Sequence, residues 1–301
     1  MKEKSFGLGV VFMLTSAASL SLVGLFGKLG LHSFSLTSLV FWRYFGAFIF
    51  CLILVKCMGK LKKKHLSFSQ FKMHFLRAFL VLGAQYTFFY YAEKSTLLNA
   101  TALLNTGPIF ISLIDWGILR KKIGKSTWIG VFISFIGILC ILQPNKEIFS
   151  SLALVGLFSG AFQGASQVVF GMSSQTEKSD LSVLYLIFTC SLLSLVPALL
   201  GGQSLSLGNQ ESSSVVWVFL GLGVATALNQ IFRAEAYQQA TPSSLSTFLY
   251  FSVLLAGLWD WLVFSRTPSL LSFFGAFLVV LGGGLKVYLR HRILQKRERG
   301  L

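Results

Sequence analysis

Ten apolar stretches, most of them long enough to cross a bilayer as a helix, take up nearly the whole chain. They lie at about 6–27, 34–55, 75–92, 97–119, 127–143, 152–173, 181–200, 215–236, 243–264 and 270–289. A hydrocarbon core about 30 Å thick calls for roughly 20 apolar residues per helix, and the stretch at 127–143 is the short one. In hydrocarbon every backbone polar group must be paired internally, so runs of this length fold as helices. Only 12% of the residues are charged, against about 25% in a soluble domain, and the mean hydropathy is +0.72. The expected fold is an all-α integral membrane protein with ten transmembrane helices.

A second constraint is repetition. Asp115-Trp116 returns as Asp260-Trp261, Gly130 as Gly275 and Gly137 as Gly282, each pair 145 positions apart. Five spans fall in each half. Five is odd, so the second copy enters the membrane from the opposite side, which makes the halves inverted repeats. The expected units are residues 1–145 (helices 1–5) and 146–290 (helices 6–10), followed by a basic cytoplasmic tail, 291–301.

The net charge of +16 does not point to nucleic acid, because of where the charge lies. With both termini in the cytoplasm, most of the 26 basic residues fall on that side: Lys2 and Lys4, the cluster from Lys56 to Arg77, Arg120 to Lys125, Lys178, Arg233 and the tail from Lys286. This is the positive-inside pattern, and it implies contact with anionic lipid headgroups at the cytoplasmic face. The first span is too long for a signal sequence and lacks a clear cleavage site, so it is read as retained.

Enzyme chemistry finds no support. Gly124-Lys125-Ser126 lacks the upstream glycine of a phosphate loop, because position 119 is Leu. His32, His65, His74 and His291 fall outside the spans or at their ends, and there is no HExxH motif or Cys/His cluster to hold a metal. No Gly-x-Ser-x-Gly nucleophile motif occurs. Cys51, Cys57, Cys140 and Cys190 have no paired spacing and read as reduced packing residues. No cofactor is expected.

Two stretches carry a family resemblance. One is Asn99-Ala-Thr-Ala-Leu-Leu-Asn-Thr-Gly-Pro108, running into Asp115-Trp116, Trp128-Ile-Gly130 and Gly137. Its partner is Ala240-Thr-Pro-Ser-Ser-Leu-Ser-Thr-Phe-Leu-Tyr250, running into Trp259-Asp-Trp261, Gly275 and Gly282. On these, the chain resembles EamA-domain members of the drug/metabolite transporter superfamily over nearly its whole length. The resemblance implies a secondary transporter of a small polar metabolite in a bacterial inner membrane. Among such proteins the chain looks most similar to S-adenosylmethionine uptake carriers, with exchange for S-adenosylhomocysteine as the implied drive. Amino-acid or drug export by the same fold is the alternative. Many relatives carry a Glu just after the fourth and ninth helices, where this chain has Arg120-Lys121 and Ser265-Arg266, so no role of that Glu carries over.

Polar side chains at membrane depth are costly, roughly 2.5–3.5 kcal/mol for an ionised group on insertion scales, and so are the leading site candidates. Arg43, within Phe41-Trp42-Arg43-Tyr44, lies near mid-membrane on helix 2, and its fork suits a substrate carboxylate; a structural Arg capping carbonyls or pairing with an Asp is the alternative. Gln163 and Gln167 share a face of helix 6. Asn105, Asn229, Tyr86 and Tyr90 complete the expected binding set with Arg43, Trp42 and Tyr44. Gln85, Asn99 and Gln230 are further amides, and helix–helix contact is the commoner use of such groups. Asp115 and Asp260 stand at opposite membrane faces, which suits gates, a proton relay or anchoring beside Trp116, Trp259 and Trp261. Glu93-Lys94 and Arg233 with Glu235 read as charge pairs at helix ends, with gating as the other role. Pro108 predicts a kink, and Thr241-Pro242 a helix cap and first turn.

Overall fold

The computed structural model describes residues 5–57, 68–120, 124–142, 151–173, 179–201, 213–267, 269–275, 277–278 and 281–282. Among them there is no strand. The helices are α1 (Phe6–Gly30), α2 (Leu36–Cys57), α3 (Phe68–Lys94), α4 (Leu97–Leu104), α5 (Gly107–Gly117), α6 (Lys125–Leu142), α7 (Ser151–Ser173), α8 (Ser179–Leu200) and α9 (Ser213–Gln239). Then come α10 (Pro242–Leu245), a 3-10 turn (Ser246–Tyr250) and α11 (Phe251–Leu262). The described residues of 270–282 are also helical. Among the described residues, six stretches are long and apolar enough to cross a membrane: Phe6–Gly30, Leu36–Leu54, Leu97–Gly117, Leu152–Met172, Leu181–Leu200 and Val216–Gln239. The loops at 58–67 and 202–212 and the tail, with most of the expected lipid-binding lysines, lie outside the described residues.

Positions 145 apart do the same structural job. α3 and α9 begin at Phe68 and Ser213 and end at Lys94 and Gln239. Thr96 and Thr241, both extended, cap the next helix, accepting the N–H of Asn99 at 3.0 Å and of Ser244 at 3.4 Å. Both helices that follow then break. Between α4 and α5 the helix is interrupted at Asn105 and Thr106, just ahead of Pro108, which has no N–H to give to a continuous ladder. Between α10 and α11 the chain passes through the 3-10 turn that ends at Tyr250. Both segments finish in a left-handed residue, Arg120 at φ 49° and Ser265 at φ 52°.

Packing follows the same exchange. α1 lies against α9 as α7 lies against α3, α2 against α9 as α8 against α3, and α1 against α11 as α7 against α5; α2 and α8 meet each other. Close approach is built on glycine. A Cβ added to Gly164 would stand 2.7 Å from both the Gly107 carbonyl oxygen and Phe110 Cβ, which brings α7 onto the start of α5. A Cβ on Gly275 would lie 2.8 Å from the Ile141 nitrogen, and one on Gly282 would lie 2.8 Å from the Gly130 oxygen. Small residues at such crossings let helix backbones pack where no hydrophobic drive acts between helices.

Three expectations are corrected here. α3 starts seven residues before the predicted span, so His74 and Arg77, assigned to a loop or helix end, are buried, with 2% exposure each. Arg233 is not part of a charge pair at a helix end: it sits six residues inside α9 and is 2% exposed. The spans expected at 97–119 and 243–264 are broken helices.

Two stability predictions follow from this packing. Gly164→Val should lower the thermal stability of the detergent-solubilised protein by about 1–3 kcal/mol, the usual cost of overpacking, while Gly117→Ala, which has open space around it, should be neutral. Ser265→Gly should raise the melting temperature, because it relieves a left-handed conformation that costs a residue with a Cβ about 1–2 kcal/mol.

Candidate functional site

The buried polar residues gather where α2, α3, α7 and α9 meet. Arg43 is 1% exposed. Its Nε donates to Thr226 Oγ1 at 2.8 Å and its Nη1 donates to Gln85 Oε1. The guanidinium carbon lies 5.0 Å from the centre of the Tyr44 ring and 5.7 Å from that of Phe89, within cation–π range. Arg43 therefore ties α2 to α3 and α9 through neutral acceptors. No carboxylate among the described residues lies within ion-pair distance of it.

Arg77 and Arg233 extend this centre. Arg77 Nη2 donates to Gln230 Oε1 at 3.2 Å, and its guanidinium stacks on Phe170, 3.2 Å from the ring centre. Phe170 in turn meets Tyr237 edge-on, with ring centres 5.3 Å apart, and the Tyr237 hydroxyl donates to Gln167 Oε1 at 2.8 Å. Arg233 is within electrostatic reach of Tyr237, Tyr44 and Arg43. Its Nε and Nη2, with the hydroxyls of Tyr44 and Tyr86, are buried and bond to none of the described residues. These groups make a dense set of donors beside aromatic faces, suited to a flat ligand rich in acceptors.

The rest of the expected binding set separates. Trp42 packs its ring against Phe41, Phe45 and Phe219, with its buried indole N–H unpaired among the described residues. Gln163 is buried where α7 crosses α5, close to Gly107. Asn229 gives its amide to the Ser16 carbonyl and hydroxyl, and Asn105 gives its amide to the Thr101 carbonyl and to Ser252, so both act between or within helices. Tyr90 is 38% exposed and its hydroxyl accepts a bond from Lys94 at 2.7 Å, which spends it locally. Glu93 is exposed beside it, and Glu235 is half-buried on α9.

The two aspartates are buried, 3% exposed each, and so are not surface anchors; Trp116 and Trp261 beside them are the exposed residues. Asp260 accepts the N–H groups of Leu97 at 3.2 Å and Leu98 at 2.6 Å, the first turn of α4. An anion is stabilised at that end of a helix. Lys28 Nζ lies 4.0 Å from Asp260 and donates to the Ser95 carbonyl at 2.7 Å. Nearby, the Trp259 indole donates to Ser21 at 3.2 Å. Residues of α1, α4 and α11 are thereby locked together at one end of the bundle. Asp115 occupies the matching place at the end of α5, a helix that packs against α10.

Sequence reading missed Arg77 and Arg233 as parts of the centre because a basic residue near a span end counts toward the cytoplasmic side. A usable signal was present on α9. Thr226, Gln230, Arg233 and Tyr237 recur at spacings of four, three and four, which puts them on one face of the helix.

Comparisons with known proteins agree with this membrane architecture. A riboflavin transporter of Vibrio cholerae is 29% identical over 277 residues, covering 91% of this chain and 90% of that protein. A riboflavin transporter of Brucella anthropi is 24% identical, covering 83% and 86%. A pseudopaline exporter of Pseudomonas aeruginosa is 24% identical, covering 66% and 70%. A solved crystal structure superposes with a TM-score of 0.75 over 96% of this chain and 99% of its own, at 13% identity, which supports the fold alone. Residues 7–143 match the model of the EamA-like transporter family, and together these findings support a multi-pass membrane transporter of small metabolites.

Proposed function

We propose that the chain is a carrier of riboflavin or a closely related flat, acceptor-rich metabolite, working by alternating access around the Arg43 centre. The observation that carries this reading is the buried layer of guanidiniums and aromatic rings, with no carboxylate among the described residues paired to Arg43 or Arg233. A flavin ring offers carbonyl and ring-nitrogen acceptors to such donors and a wide face to Tyr44, Tyr86, Phe89 or Tyr237. Its ribityl hydroxyls match the amides of Gln85 and Gln167. Two relatives named riboflavin transporters add to the case.

The same centre disfavours S-adenosylmethionine, the substrate implied by overall resemblance. That molecule carries a sulfonium and an ammonium against one carboxylate. At roughly 8 Å and an effective dielectric of about 20, like charges repel by about 2 kcal/mol, and the centre holds several guanidiniums.

In this reading ten helices form two inverted halves, 1–145 and 146–290, with both termini in the cytoplasm of a bacterial inner membrane. The recurrence of caps, breaks and left-handed residues at an offset of 145 supports it. The Lys28–Asp260–α4 contact acts as a gate at one end, and Asp115 takes the related position at the other. Movement through such a fold follows the substrate's own gradient or an exchange.

The test is uptake of labelled riboflavin by a riboflavin-requiring bacterium that expresses the chain. Saturable uptake is expected, with no competition from excess S-adenosylmethionine. Well-inserted protein without uptake in either direction would remove flavins as cargo. Arg43→Lys keeps the charge but cannot hold Thr226 and Gln85 as a guanidinium does, so uptake should drop by about tenfold or more at unchanged expression. Normal uptake by that variant would mean that the Arg43 network is structural only.

A further inference from the structure

The three central arginines are not equivalent. Arg43 has turned Nε to Thr226 and Nη1 to Gln85, and Arg77 has turned Nη2 to Gln230 and its face to Phe170. Arg233 differs: both of its atoms without a bond to the described residues, Nε and Nη2, lie on one edge of the guanidinium. Their N–H bonds run parallel, the geometry of the side-on fork that takes two acceptor atoms at once. The residue is 2% exposed, so water does not freely satisfy that edge, and the unpartnered hydroxyl of buried Tyr44 is within its electrostatic reach. Buried donors left without protein acceptors are rare in native structures, and a functional role is one of the accepted reasons for them.

We infer that Arg233 is the specificity-determining residue of the site, and that its fork binds a planar pair of acceptors on the cargo, with Tyr44 as a neighbouring donor. Arg43 and Arg77, already engaged, hold aromatic rings: Tyr44 and Phe89 beside the first, Phe170 beside the second. The inference rests on the carrier reading above and adds the chemistry that the cargo must present. Two sources offer it: the edge of a flavin formed by ring nitrogen N1 and the adjacent carbonyl oxygen, or a carboxylate or phosphate. A flavin is the source favoured here, because the walls are aromatic. An amine, sulfonium or other cationic group is excluded from that edge, since the fork only donates.

Binding to the purified full-length protein in detergent tests this, read by quenching of flavin fluorescence. Arg233→Lys keeps the charge and removes the fork, and it should weaken riboflavin by about tenfold or more, the range of one to two charge-assisted hydrogen bonds. The second arm alters only the ligand. In 1-deazariboflavin a C–H replaces N1, so it should bind the unaltered protein about as weakly as riboflavin binds the Lys variant, and the variant should cost it little more. If Arg233→Lys misfolds, the comparison of the two flavins on the unaltered protein still decides. The third arm is inorganic phosphate, followed by thermal stabilisation. No flavin binding, together with phosphate stabilisation that Arg233→Lys abolishes, would sink the flavin reading and keep the fork with an oxyanion cargo. Equal binding of both flavins, riboflavin binding unchanged in Arg233→Lys, or, without flavin binding, phosphate stabilisation unchanged in that variant would overturn the inference. Binding of neither flavin nor phosphate to the unaltered protein would overturn both.

Discussion

A guanidinium held in the middle of a membrane bundle by neutral partners is the constraint from which the rest of this molecule follows. Arg43 is bound by a hydroxyl, an amide oxygen and two aromatic faces, from three different helices. Pairing it with a carboxylate would have neutralised the charge and left a structural cross-link. Bonding it only to dipoles leaves net positive potential in a low-dielectric interior, where an acceptor-rich ligand such as the one proposed would feel it strongly. Each supporting helix must then be fixed closely enough to hold those dipoles in place. That explains why α2, α3 and α9 pack together at the centre, and why α1 is pinned to α9 by the reciprocal bonds of Ser16 and Asn229.

The ends of the bundle solve a different problem. A helix that starts inside the membrane bares backbone N–H groups that lipid cannot satisfy. The break after α3 creates such a start at Leu97, and two acceptors meet it: the Thr96 side chain and the Asp260 carboxylate. The second comes from the far half of the chain and carries Lys28 with it. The carboxylate proposed above as part of a gate thus also meets this structural need. Its position is fixed by backbone donors, while the lysine lies 4.0 Å from it and is held more closely by the Ser95 carbonyl at 2.7 Å.

Much of this was legible in the residues. The apolar runs located the helices because hydrocarbon admits little else, and the Pro108 break and the Thr241 cap were visible because proline and threonine act locally. The membrane depth of Arg43 was visible because apolar residues flank it for a full turn on both sides. Arg77 was counted only as cytoplasmic charge and Arg233 only as a helix-end charge or gate, because each lies near the end of its apolar run, where the charge rule that orients a membrane protein also hides a buried arginine. Asn105 and Asn229 were given to the cargo, yet both serve helix contacts. Nothing in a sequence separates an amide that faces a cavity from one that faces a neighbouring helix when both lie on the same polar stripe. Tyr90 was assigned to the centre by its spacing from Tyr86, but Lys94, one turn later, draws its hydroxyl away.

The carboxylate of Asp260 completes a helix that belongs to the other half of the chain, and this bears on how such a molecule comes into being. During synthesis α4 leaves the ribosome some 160 residues before its cap does. Until α11 arrives, the Leu97 and Leu98 amides have no acceptor from that side and the end of the first half stays provisional. The second half therefore completes the first at this point. Loss of the Asp260 carboxylate would strand amides in the other half of the chain, which ties the two halves into one unit of inheritance as well as into one fold.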